Sequence, residues 1–131
     1  MTTIVLAEAD RLLSDLMLLG LGRLRPACRV LAAADGEAAV QFVRQHQPQL
    51  VLLDILLPKM NGLAVMRELR ADAALRRIPV IVISSLGFRE TVEQAARGGA
   101  RDFILKPFDL GLLLGKVQKA LDEASQPAVV G

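Results

Sequence analysis

The sequence predicts an α/β fold, a doubly wound parallel sheet built from five βα units. Three observations carry this. Short runs that are apolar at every position alternate with longer segments of helical period. Gly and Pro punctuate the joins. The chain has 131 residues, 53% of them hydrophobic, which suits one domain with an aliphatic core and no Trp or Tyr.

Ile4 to Ala7 is the first strand, and a helix follows from about Asp10 to Gly22, with Asp10 as its cap. Arg29 to Ala33 is a second, weaker strand. Gly36 to Gln45 is the next helix, with Ala39, Val40 and Val43 on one face, ended by His46-Gln47-Pro48. Leu50 to Leu53 is the third strand, and Pro58 and Gly62 mark the loop before a helix over Leu63 to Arg70. Pro79 precedes the fourth strand, Val80 to Ile83. Glu90 to Arg97 is the fourth helix, stopped by Gly98-Gly99. Phe103 to Leu105 is a short fifth strand, and Asp109 to about Glu123 the last helix. The domain is expected over 1–123, with 124–131 as a flexible tail.

Strands apolar at every position are buried on both faces, as in a parallel sheet between two helical layers. Right-handed crossovers then favour a flavodoxin-like order, 2-1-3-4-5. That order puts the functional crevice at the carboxyl ends of the strands, near the switch between the first and third.

Composition excludes several classes. The net charge is +2 and the basic residues are scattered, with Arg23, Arg25 and Arg29 the densest group, so no direct nucleic-acid contact is expected. Cys28 is the single cysteine, which leaves no disulfide or Cys-based metal site. The N-terminus lacks a signal-peptide pattern, and no apolar run approaches the roughly 18 residues of a membrane span. A cytoplasmic protein without membrane contact is expected.

The strand ends carry the chemistry. Glu8, Asp54, Ser84-Ser85 and Lys106-Pro107 deliver two carboxylates, a hydroxyl and an ammonium to one rim. A carboxylate can attack phosphorus and form an acyl phosphate. The transferred group spreads its charge over three oxygens, so the site must supply cations and donors. Lys106 and Ser84 supply them, and a magnesium ion held by Glu8 and Asp54 would neutralise the rest.

Three segments resemble the receiver domains of bacterial two-component response regulators: Leu53 to Gly62, Ile78 to Ser85 and Gly99 to Phe108. The resemblance spans about residues 3 to 123. It implies Asp54 as phosphoacceptor, Lys106 as the phosphate-binding lysine, Ser84 as the switch hydroxyl and Phe103 as the switch aromatic. It also implies Mg2+ held by Glu8, Asp54 and the Leu56 backbone carbonyl. A histidine kinase or phosphotransfer protein would be the phosphodonor, and a downstream protein or output domain the reader. Such a domain is not an enzyme beyond assisting its own phosphorylation and dephosphorylation.

The chain departs from this family at Ala7-Glu8-Ala9-Asp10. Receivers usually carry two adjacent acids there, and Ala9 stands where the second, a direct metal ligand, is expected. Asp10 lies one residue further on and is a weaker candidate ligand. Losing a ligand should cost at least the roughly 10–100-fold known for a supporting partner, so Mg2+ binding is expected to be weakened or lost. The alternative is therefore a phosphorylation-independent pseudo-receiver, a protein-interaction or dimerisation module. Haloacid-dehalogenase phosphatases also use Asp, Ser/Thr and Lys, but they need a second Asp where Leu56 stands.

Other residues read as structural. Phe103 is by default a core aromatic. His46 is a solvated turn residue, and Met60 and Met66 are packing. Gly111 and Gly115, four apart in a helix, cost roughly 1 kcal/mol each relative to Ala, which close approach of a neighbouring helix could offset, but the motif is weak in a soluble protein. In the first helix Leu12, Leu13, Leu16, Met17, Leu18, Leu19 and Leu21 cannot all face one core, so an exposed remainder implies a partner or a homodimer.

Overall fold

In the computed structural model, which describes residues 1–125, the two periodicities separate as expected. Strands β1 (Thr2–Ala7), β2 (Cys28–Ala33), β3 (Leu50–Asp54), β4 (Val80–Ser84) and β5 (Asp102–Leu105) alternate with helices α1 (Arg11–Leu21), α2 (Gly36–His46), α3 (Gly62–Ala71), α4 (Arg89–Arg97) and α5 (Leu110–Ser125). The strands form one parallel sheet in the order β2-β1-β3-β4-β5. This is the flavodoxin-like arrangement the sequence predicts. Each boundary lies within two residues of expectation.

Side chains alternate across a strand, so runs apolar at every position fill two cores. Val5, Val51, Leu53, Val80 and Val82 pack against α2, α3 and α4. Ile4, Leu6, Leu50, Leu52, Ile81, Ile83 and Ile104 pack against α1 and α5, through Met17, Leu21, Leu113 and Val117. Each fully buried aliphatic side chain contributes roughly 1.5–3 kcal/mol, so the sheet is held from both faces without a covalent staple. No helix among the described residues is long and apolar enough to cross a membrane.

Local chemistry sets the helix starts. The Asp10 carboxylate accepts from the Leu13 N–H at 3.2 Å, Asp35 from the Ala38 N–H at 2.8 Å and Asn61 from the Ala64 N–H at 2.9 Å. Each satisfies an orphan donor of its first turn.

One expectation is corrected. His46 is the last residue of α2, not a solvated turn residue: its ring stands edge-on to Phe42 at 6.3 Å, and Arg29 Nη2 donates to its Nδ1 at 3.2 Å. No neighbouring helix approaches Gly115, where an added Cβ would meet open space. The close approach falls instead at Gly20, where a Cβ would stand 2.9 Å from Leu110 of α5. α5 runs to Ser125, into the segment expected as a tail from residue 124; residues 126–131 lie outside the described residues.

Candidate functional site

The sheet register lines up the four strand ends. Ala7 pairs with Leu53, so Glu8 stands beside Asp54. Asp54 pairs with Ile83, and Ser84 with Leu105, so Ser84 and then Lys106 follow on the next two strands. The Lys106 N–H donates to the Ser84 carbonyl at 2.8 Å. By the alternation of each strand, Asp54 follows Leu50 and Leu52, and Lys106 follows Ile104, toward the α1/α5 face. Ser84 follows Val80 and Val82 toward the opposite face.

The three charges meet. Lys106 Nζ donates to Asp54 Oδ2 at 2.8 Å and lies 2.7 Å from Glu8 Oε1. Glu8 and Asp54 are both 4% exposed. Glu8 Oε2 accepts from the Asp10 N–H at 3.0 Å, and Asp54 Oδ1 from the Leu56 N–H at 3.1 Å. Glu8 Oε1 is buried and faces Lys106 as an ion pair.

Burial raises the Glu8 pKa above its ordinary value. Lys106 and the Asp10 N–H oppose that shift, and the Asp54 charge adds to it. Burial alone would lower the Lys106 ammonium, but its hydrogen bonds to Asp54 and Glu8, with their charges, outweigh it and raise the pKa. The trio carries two negative charges and one positive.

Ser84 is fully buried, and its Oγ accepts from the Leu86 N–H at 3.0 Å. The hydroxyl proton is therefore available to an incoming anion. Phe103 is half-buried, packs on the α2/α3/α4 core, and pairs in register with Val82, one position diagonal from Ser84.

The metal candidates divide. Glu8 and Asp54 converge. Asp10 does not join them, because its carboxylate caps α1. Ala9 is exposed and offers no ligand, and among the described residues no three His, Cys, Asp or Glu side chains form a metal-binding group. Two carboxylates suit a magnesium ion only when waters or phosphate oxygens complete its six ligands. The residues thus fit an ion shared with a phosphate.

Two supports escaped the sequence reading. Gly36 and Gly62 let backbone come close around the loop after β3: a Cβ at Gly36 would lie 1.8 Å from Met60 O, and one at Gly62 2.3 Å from Asp54 O. Gly36 N–H also donates to Pro58 O, and Lys59, at φ 67°, pairs with Asp35 at 3.7 Å. The Asp35-Gly36 pair, a cap followed by a small residue, was the available signal. The second support is Arg70, whose guanidinium donates to the carbonyls of Arg76, Ile78, Gly98 and Gly99 and ties the approach to β4 to the end of α4.

A groove of about 420 Å3 opens beside the centre, lined by Lys106, Ser85, Pro107, Phe108, the cap Asp10 and, on α1, Leu12, Leu13 and Leu16. Leu12, Leu16 and Leu19 are 72%, 51% and 70% exposed, the apolar remainder expected of α1.

Residues 4–118 match the response regulator receiver domain family. The chain is 34% identical over 121 residues to the DNA-binding dual master transcriptional regulator RpaA of Synechocystis, covering 92% of this chain and 49% of that protein. It is 37% identical over 93 residues to the chemotaxis protein CheY of Bacillus subtilis, covering 71% of this chain and 76% of that one. It spans about half the length of RpaA and 20% of the response regulator PleD of Caulobacter vibrioides. Among solved structures, the receiver domain of a histidine kinase from Syntrophus aciditrophicus superimposes with a TM-score of 0.87 at 27% identity, covering 100% of this chain and 98% of that one. A sensor histidine kinase receiver from Pseudomonas aeruginosa, with a magnesium ion coordinated in its active-site cleft, gives 0.79 at 28%, covering 92% and 98%.

Proposed function

Since the chain belongs to the response regulator receiver domain family of two-component signalling, we propose that it accepts a phosphoryl group on Asp54 and passes the change to a partner-binding surface. The observation that carries this is the buried Asp54 carboxylate at the end of β3, with Lys106 Nζ 2.8 Å from one oxygen and Ser84 one register position away. In the step, an Asp54 oxygen bonds to phosphorus while the bond from phosphorus to the donor breaks. From a phosphohistidine, the leaving imidazole nitrogen takes up a proton; from acetyl phosphate, acetate leaves. Lys106 and the Ser84 hydroxyl face the phosphoryl oxygens and offset their charge. Magnesium, when bound through Glu8 and Asp54 and, as the family implies, the Leu56 carbonyl, supplies further charge neutralisation.

A phosphorylated Asp54 carries about −1.5 to −2 charges in place of the carboxylate's one, and gains three acceptors. Ser84 Oγ drawn toward them shifts the loop from Ser85 to Gly87, and Phe103 takes up the space beside it. The face of α4, β5 and α5 then differs between the two states. The phosphodonor is a histidine kinase or phosphotransfer protein, and the apolar groove along α1 is suited to such a protein because it opens onto Lys106. The downstream reader is a protein or an output domain; a homodimer through α1 is the other use of that surface. The domain acts in the cytoplasm as a signalling module, with no enzyme activity beyond its own phosphorylation and dephosphorylation.

Ala9 favours a second reading, a pseudo-receiver that binds partners without phosphorylation. Intact-mass measurement with acetyl phosphate and Mg2+ separates the two. The first reading expects a gain of one phosphoryl mass in the parent and none in Asp54→Asn. No gain in either supports the second.

A further inference from the structure

The centre contains a charge imbalance that its fold alone does not require. Glu8, Asp54 and Lys106 sum to one negative charge, with each carboxylate already facing the same ammonium at 2.7–2.8 Å. A dication added to this trio would leave a net positive centre, with the cation beside an ammonium in a poorly solvated pocket. An aspartate at position 9 would cancel that excess. So would a phosphoryl group, because it turns the single charge on Asp54 into about two. A carboxylate oxygen can accept more than one partner, so Glu8 Oε1 can serve as a ligand while it faces Lys106.

We propose that Ala9 leaves the resting centre one negative charge short of holding a divalent cation, so that Lys106 is its resident cation and magnesium enters with the phosphoryl oxygens rather than ahead of them. This rests on Asp54 being the phosphoacceptor. It makes the metal and the phosphoryl group mutually dependent ligands: each raises the affinity for the other by the same factor.

The test is amide NMR of the full chain titrated with MgCl2, alone and with beryllofluoride, a mimic of the phosphoryl group, in the parent and in Ala9→Asp. Position 9 is exposed, so the substitution should leave the fold intact. The parent alone should show no saturable shift at Leu56 and Glu8 through the millimolar range. Ala9→Asp alone should bind at least about 10-fold more tightly. With beryllofluoride the parent should gain saturable binding, and the gap between the two proteins should narrow. Lys106→Met should bind Mg2+ more tightly than the parent, since it removes the competing charge. If the resting parent binds Mg2+ as tightly as Ala9→Asp, the inference is overturned, whereas phosphoryl uptake by mass is unaffected. If beryllofluoride gives no adduct in the parent at any Mg2+ concentration but does in Ala9→Asp, the phosphoacceptor reading and the coupling both fall, and only the resting charge deficit stands.

Discussion

Lys106 and Asp54, 52 residues apart, meet at 2.8 Å because β3 and β5 end on the same rim, one on either side of β4. Their contact is shared with Glu8, so a single ammonium serves two buried carboxylates.

Stability should fall on the alkaline side, and Lys106 should account for part of the fall. A cation whose pKa is raised in the folded state stabilises the fold fully below its unfolded value, about 10.4. It loses that contribution as pH rises through the higher folded value. The parent's urea midpoint should therefore drop as pH rises beyond the ordinary lysine range. Lys106→Met should be less stable at neutral pH, by up to about 3–5 kcal/mol, because two buried carboxylates lose their partner. It should also show a shallower alkaline drop. The Cys28 thiol, which burial also pushes up, is common to both proteins, and the chain has no Tyr to add a phenol titration. Parallel curves for the two proteins would remove Lys106 from this role.

Ser84→Ala should separate acceptance from response. The Leu86 N–H loses its acceptor, at a cost of about 1–3 kcal/mol. Asp54 should still take up the phosphoryl group from acetyl phosphate. Amide shifts around Phe103 and α4 on phosphorylation should shrink markedly. Shifts equal to the parent's would show that the ring does not follow the hydroxyl.

The glycines should divide by what their missing Cβ would meet. Gly36→Ala and Gly62→Ala drive a methyl into the Met60 and Asp54 carbonyls, and each should destabilise by about 1–3 kcal/mol or more. Gly115→Ala meets open space in α5 and should stabilise by roughly 0.5–1 kcal/mol. Thermal or urea denaturation of the three variants checks the order. A tolerated Gly62→Ala would mean that the loop after β3 has slack.

On α1, exposure should predict which side chains matter to the fold. Met17→Ala empties a fully buried site and should cost about 2–5 kcal/mol. Leu16→Gln should stay within about 0.5 kcal/mol of the parent. It should slow phosphoryl transfer from a protein donor while leaving uptake from acetyl phosphate unchanged. An equal loss with both donors would place the effect at Asp54 instead of at the docking groove.

By itself the sequence determined the five βα units, the strand order and the rim on which Glu8, Asp54, Ser84 and Lys106 gather. These follow from local periodicity, from the doubly apolar strands and from the chirality of parallel crossovers. The absence of an acid at position 9 was equally legible. The tertiary structure decided what depends on distances between segments remote in the chain. It laid His46 against Phe42 and Arg29, while Asp10 took the cap position already legible in the sequence. It turned Arg70, an ordinary helix-end residue in the sequence, into a clasp on four carbonyls. It made Gly20 the small residue that a neighbouring helix approaches, with Gly115 left in open space. The physical reason is that periodicity reports which face of an element is buried. Which partner meets that face, and at what separation, is set by sheet register and by the packing of helices from distant parts of the chain.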